Sequence, residues 1–222
     1  MATETKSDVK KLEVKKESSI KVKKKNWFKI LSPKIFGERA VGETYLLSLE
    51  SAFGSVLKIN LRDLTGNIRD QHVYIGLKII KSQSSQLQTS LVSYNITPSY
   101  IKRQVRKGID RMDDYFLFTT KDGQQVIAKT FMLTQNKAHR SVRGMLRSKL
   151  REQLETEIKT VDFETLISSL VTTKVQGSIR KMLNKIYPLK ELAVRVLELQ
   201  GAEQLLPAQE IEVPSPRIEV AQ

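Results

Sequence analysis

The 222 residues, 40% of them hydrophobic, suffice for one substantial domain with a packed core. The absence of cysteine excludes disulfide frameworks, cysteine-based zinc sites and thiol nucleophiles. Lys and Arg number 38 against 24 Asp and Glu, a net charge of +14 that points to a polyanionic partner. The excess is uneven: residues 1–29 hold ten lysines against four acids, 30–200 hold 27 basic against 16 acidic, and 201–222 hold one arginine against four glutamates. No apolar run approaches the ~18–20 residues of a membrane span. Residues 1–29 alternate lysines with polar residues and show no apolar signal-peptide core. A soluble, intracellular, basic protein is expected.

Residues 1–25 carry few large apolar side chains and no aromatic, too little to offset the entropy of ordering. They read as a basic N-terminal extension that orders only on a partner. A single domain is expected over 26–200. It opens at Asn26-Trp27-Phe28, whose rings are read as anchoring the first strand in the core. From there to about Thr134 the pattern is strand-like. Val56, Leu57, Ile59 and Leu61 alternate with Lys58, Asn60 and Arg62, while Val73-Tyr74-Ile75 and Leu77-Lys78-Ile79 keep a period near two. Leu64-Thr65-Gly66-Asn67 is a turn between them. Pro98-Ser99-Tyr100 opens a short helix, with Pro where its missing N–H costs nothing, and Gly108 is expected to end it. Tyr115–Phe118 and Val126–Ala128 flank Lys121-Asp122-Gly123-Gln124, which predicts a hairpin with Asp-Gly in a two-residue type I′ turn.

After Thr134 the period becomes helical. Val142, Met145, Leu146 and Leu150 share one side of a helix over about residues 137–158. Asp162 is the expected N-cap of a second helix carrying Phe163, Leu166, Ile167 and Leu170. A third aligns Val175, Ile179, Met182, Leu183 and Ile186 and stops at Pro188. Leu192, Val194 and Val196 alternate, predicting a returning strand over Leu189–Leu199, with a helix as the alternative. Residues 201–222, with Pro207, Pro214 and Pro216, read as an acidic C-terminal tail. The fold class is α+β.

The helix after Thr134 is the strongest candidate interface. With Arg140 at zero, Arg143 lies near about 300°, Arg147 near about 340°, Arg151 near about 20° and Lys137 near about 60°, opposite an apolar side centred near about 200°. No acid interrupts Lys137 to Arg151. Charge runs are usually solvated faces, yet such faces intersperse Glu, so this one is read as contacting RNA phosphates through arginine forks and counterion release. Lys102, Arg103, Arg106 and Lys107 form a second patch on the short helix, and Lys174, Lys181 and Lys185 a third. Lys23, Lys24 and Lys25 precede Trp27 and complete the candidate set. Catalytic signals are poor. His72 and His139 have no ligand partners at useful spacing, and Asp113-Asp114 is expected to cap or face solvent. Gly37 and Gly42 are not followed by the Lys-Ser/Thr of a phosphate-binding loop. Neither enzyme activity, a cofactor, a metal nor a small-molecule substrate is expected.

The order and spacing of several segments resemble the archaeal and eukaryotic small-subunit ribosomal protein family eS1 (S3Ae). These are Lys25-Asn26-Trp27-Phe28, Ser32-Pro33-Lys34-Ile35-Phe36, Arg39, Gly42-Glu43-Thr44 and Leu61-Arg62-Asp63-Leu64. They continue with Thr120-Lys121-Asp122-Gly123, Arg140-Ser141-Val142-Arg143 through Arg151, Ile186-Tyr187-Pro188-Leu189 and Val194-Arg195-Val196, covering about residues 25–200. The resemblance implies a β-barrel-like mixed or antiparallel sheet core with helices packed around it. It implies a structural constituent of the small subunit that binds small-subunit ribosomal RNA on the platform, near the messenger exit and the RNA 3′ end. A neighbouring platform protein of the universal S-eleven type is the implied protein contact. By motif it carries RNA contact to Arg140, Arg143, Arg147 and Arg151, and less directly to Lys102 and Arg106. The short acidic tail favours an archaeal-type member. Replacing Arg143 and Arg147 with Ala is then expected to weaken incorporation with the fold intact. A free RNA-binding or chaperone-like factor is the rival reading. A membrane-surface protein is disfavoured, because the basic helix backs onto a core-like face rather than one rich in Trp and Phe.

Overall fold

The computed structural model describes residues 24–83 and 85–200; Lys23, the rest of the extension before it, and the acidic tail from residue 201 lie outside the described residues. The described residues form eight strands and five α-helices, the last three helices following one another between β7 and β8. The strands are β1 (Asn26–Leu31), β2 (Ala40–Leu46), β3 (Val56–Asn60), β4 (Val73–Gln83), β5 (Gln86–Ile96), β6 (Arg111–Thr119), β7 (Gln125–Thr134) and β8 (Leu189–Leu199). The helices are α1 (Leu61–Thr65), α2 (Pro98–Gln104), α3 (Arg140–Thr160), α4 (Phe163–Val171) and α5 (Lys174–Leu183). The α+β class is as expected. The sheet follows the hydrogen-bonded path β2-β1-β5-β8-β7-β6, with β4 and then β3 branching from β5, and among the described residues β2 and β6 do not pair to close it. Every pairing is antiparallel except β1 with β5.

The central strand is β5, which bonds β4 along its length, β1 through Gln86–Gln88 and β8 through Ser93–Asn95. Two bulges adjust its register with β4. Gly76 opposes Ser93 and Leu77 opposes Leu91, so Val92 is skipped, and Ile80 is skipped on β4. Each bulge shifts the side-chain alternation by one residue. Leu87 and Leu91 are therefore buried on one side of the break and Tyr94 and Ile96 on the other. The predicted returning strand is present over Leu189–Leu199 as β8, seated between β5 and β7.

Four local expectations are corrected. The strand at Val56 ends at Asn60, not Arg62, because the Asn60 side-chain oxygen accepts the Arg62 N–H (3.0 Å) and starts α1. The β6–β7 turn is not type I′. The Gly123 N–H donates to the Thr120 carbonyl (3.0 Å) with φ +74° at Gly123, and Asp122 stays out of the left-handed region. A type I turn followed by a left-handed glycine fits those bonds. The Asp122 side chain instead serves the next layer, where its Oδ2 accepts the Phe163 N–H (3.3 Å) at the start of α4; Asp162 makes no side-chain cap there. Finally, α2 begins at Pro98 as expected but ends at Gln104, so Arg106 and Lys107 lie beyond it and Gly108 (φ +88°) turns the following loop.

A large hydrophobic cluster unites β4–β8 with all five helices. α3 contributes Leu146, Leu150, Leu154 and Ile158, α4 Phe163, Leu166, Ile167 and Leu170, and α5 Ile179 and Leu183. Ile186, expected on the α5 core face, is exposed and follows the helix. A second, small cluster of Ile30, Ala52, Ile79 and Leu87 lies under the β1–β2 ribbon.

Candidate nucleic-acid interface

The buried residues of α3 recur every four positions, so each step advances the stripe by about 40°. Measured from Arg140, the stripe runs from about 240° at Leu146 to about 0° at Ile158. Met145, expected in the core, is 54% exposed. Arg143 and Arg147 consequently share the buried sector instead of opposing it. Arg143 is half-buried, and its Nε is buried without a hydrogen-bond partner. The Arg147 Nε meets Asp114 Oδ1 of β6 at 2.9 Å. Asp114 thus neither caps nor faces solvent, its side chain being 12% exposed, whereas Asp113 pairs with Arg111 at the surface (2.6 Å). Burial pushes the Asp114 carboxyl above its ordinary range, and the charge and hydrogen bond of Arg147 pull it back. The acid missing from the helix itself is supplied by the sheet.

Arg140 and Arg151 are exposed. Beyond Arg151, Glu152 and Glu155 pair with Lys149 and Lys159, so the uncompensated charge of α3 is concentrated toward its start. There His139 makes no side-chain cap and the first turn holds no acid, so the positive end of the helix coincides with Lys137, Arg140 and Arg143. The helix starts at Arg140, which leaves Lys137 in the approach to it.

The turn from Asn184 to Lys190 gathers the other patches around that start. The Tyr187 hydroxyl donates to the Lys137 carbonyl (3.0 Å) and the Gln135 N–H to the Pro188 carbonyl (3.1 Å). Asn184 Oδ1 accepts the Leu189 N–H (3.0 Å), and the Arg180 guanidinium donates to the Leu189 and Lys190 carbonyls. Lys190 Nζ in turn donates to the Gln104 carbonyl (2.8 Å), tying down the end of α2. Asp110 Oδ2 accepts the Ala138 N–H (2.9 Å), closing the loop after α2 onto the approach to α3. The start of α3, the end of α5 and the end of α2 therefore meet at one junction. Lys137, Arg140, Lys181, Lys185, Arg106 and Lys107 all belong to those segments, and none is buried. Lys185 follows α5 rather than standing on it. Arg151 lies about 16 Å along α3 from Arg140, and Lys174 about 10 Å along α5 from Lys181, so both flank the junction.

Arg103 lies over the Tyr100 ring (5.9 Å to the centroid), which stacks on His72 at 4.0 Å. Lys102 borders a cavity of about 460 Å³ with Arg111 and Arg195, two cations outside the candidate set drawn from the sequence. The alternation Val194-Arg195-Val196 was the available signal for Arg195. Lys24 and Lys25 are exposed, with Lys25 Nζ 5.7 Å from the Tyr45 ring centroid. Trp27 is 67% exposed, contrary to the expected core anchor, while Phe28 packs on the small cluster. Among the described residues no group of three or more potential metal ligands occurs, and no helix is long and apolar enough to cross a membrane.

The model of the Ribosomal S3Ae family matches residues 13–201. Among curated proteins, the chain is 30% identical over 179 residues to the small ribosomal subunit protein eS1 of Methanothermobacter thermautotrophicus, covering 79% of this chain and 92% of that one. It is 28% identical over 174 residues to the protein of the same name from Saccharolobus islandicus and from Saccharolobus solfataricus, covering 78% of this chain and 84% of theirs. These relatives are archaeal, in line with the expected archaeal-type member. The chain belongs to the Ribosomal S3Ae family, a family of ribosomal structural proteins and not of enzymes.

Proposed function

We propose that this chain is a built-in constituent of the cytoplasmic small ribosomal subunit, and that it binds small-subunit ribosomal RNA through the junction of α2, α3 and α5. The observation that carries the reading is the convergence there of Lys137, Arg140, Lys181, Lys185, Arg106 and Lys107 on segments joined by hydrogen bonds. A basic surface fixed by its fold meets phosphates without first ordering itself, and displaced counterions supply affinity. Lys102, Arg103, Arg151 and Lys174 extend the contact to either side. Arg147 divides its charge between the phosphates and Asp114, and Arg143 adds its charge at the start of α3. Recognition is mainly of backbone shape, since these are phosphate-seeking side chains and the contacts carry no base code.

The resemblance supports the finer placement on the platform, near the messenger exit and the RNA 3′ end, beside a protein of the universal S-eleven type. The test is sedimentation of a lysate through a gradient, counting this chain per small subunit before and after a high-salt wash. About one copy retained through salt that strips loosely held polycations supports a built-in constituent. Substoichiometric amounts that wash away would instead indicate a factor visiting ribosomes or messenger RNA.

A further inference from the structure

The outer face of the β1–β2 ribbon presents Trp27 and Lys29 of β1, with Lys25 just before the strand, beside Glu43 and Tyr45 of β2, with Leu47 just after it; Trp27 lies directly opposite Tyr45 and Lys29 opposite Glu43. The two rings are 67% and 49% exposed and lie 5.0 Å apart at an interplanar angle of 37°. The opposite face of β1 supplies Phe28 and Ile30 to the small cluster, so the exposed rings are not needed to hold the ribbon down. Large rings left in water on a sheet face mark a contact surface. The charge beside them is cationic: Lys25 lies over Tyr45, Lys29 is exposed on the ribbon opposite Glu43, and Lys24 is exposed just before the strand. A ring pair flanked by lysines offers a π-face to a base and ammonium groups to the phosphates on either side of it.

We propose that Trp27 and Tyr45 form a stacking platform for an unpaired nucleotide of RNA, with Lys25 and Lys29 on its flanking phosphates. This rests on the reading of the chain as an RNA-binding protein and adds a second, base-contacting site on another element. Trp27 is the only tryptophan, so its emission reports the site directly in the unaltered full-length chain. Emission is followed while single-stranded poly(U), an RNA duplex or heparin is added, with binding of each measured separately by anisotropy of a labelled probe. The expected result is quenching by poly(U) at saturation, with little change on saturation by duplex or heparin. Trp27→Ala is expected to weaken poly(U) binding about tenfold and duplex binding by less than about twofold. Tyr45→Ala should reduce the quenching while Trp27 remains as reporter.

Unchanged emission with all three ligands bound would overturn the platform and leave the phosphate-binding function standing. Failure of every RNA to bind would overturn both. Undiminished poly(U) binding by Trp27→Ala, together with its loss from assembled subunits, would make the face a protein contact and also overturn the proposal.

Discussion

The two hydrophobic clusters differ in what lies above them. Around the large one, cations serve as struts: Arg147 reaches Asp114, Arg180 reaches the Leu189 and Lys190 carbonyls, and Lys190 reaches Gln104. Over the small one the outer ribbon face has no such strut among the described residues; Trp27 and Tyr45 stay in water beside exposed lysines. A deep core brings elements close enough for long basic side chains to reach backbone carbonyls of neighbouring elements. A two-stranded ribbon with one buried face leaves its other face available. Positive charge alone therefore does not mark an RNA contact; the cation must also be free of the fold.

The largest expected effect tests the difference in depth. Leu150→Ala, in the large cluster, should cost about 4 kcal/mol in denaturant unfolding, while the matched Leu87→Ala, in the small one, should cost about 2 kcal/mol. Native-state hydrogen exchange should place β1 and β2 in a lower-energy opening than β7 and β8. Equal protection would mean that the clusters unfold as one unit and would break the comparison.

Next come the struts. Arg180→Ala should cost about 1–3 kcal/mol because two carbonyls lose a donor, whereas neighbouring Lys181→Ala should stay within about 0.5 kcal/mol and weaken RNA binding instead. The same split separates the arginines of α3. Arg140→Ala with Arg151→Ala should leave the unfolding curve unchanged and flatten the salt dependence of RNA binding by about 0.7–0.9 per lost phosphate contact. Arg143→Ala with Arg147→Ala strips Asp114 of its partner, so the fold is not a bystander in that variant. An NMR titration of Asp114 should move further up in Arg147→Ala, since the group opposing burial has gone. An unmoved titration would mean that the ion pair does not persist in solution.

The elements with a clear local period were legible from the chain alone: the helical face of α4 and the hairpin strands around Lys121–Gln124. So was β8, whose Leu192, Val194 and Val196 alternate although its register with β7 shifts at Lys190 and Arg195. β5 was not, because the bulge at Val92 shifts its alternation midway, so that Leu91, Val92, Ser93 and Tyr94 are buried in succession. Periodicity points to the wrong side of α3 because Met145 and Val142 are apolar, yet the buried four-residue stripe from Leu146 is what the sheet selects. The basic patches were visible as composition, but not their meeting point. That depends on hydrogen bonds from residues 184–190 to Lys137 and Gln104, 50 and 86 positions away in the chain. Nor did sequence reveal that Asp114 would reach Arg147, or that Trp27 would stand in water, since both depend on which face of a strand packs.

The smallest effect concerns His72, which stacks on Tyr100, the ring that Arg103 also approaches. Burial holds the imidazole below its ordinary value of 6.5, with the charge of Arg103 acting in the same direction and the Arg69 backbone, Asp70 and Glu191 opposing. The unfolded chain therefore takes up this proton before the folded one does, and stability present above about pH 6.5 is lost as the pH falls. His72→Phe keeps a ring against Tyr100 without the proton, so the urea midpoints of the two proteins should diverge between about pH 7.5 and about pH 5. Parallel midpoints would show that the imidazole is not buried in solution. If Arg103 meets a phosphate, bound RNA cancels one of the charges depressing His72, and its NMR titration should rise on adding RNA. A titration that stays put would mean that Arg103 meets no phosphate, adding it to the cations held by the fold.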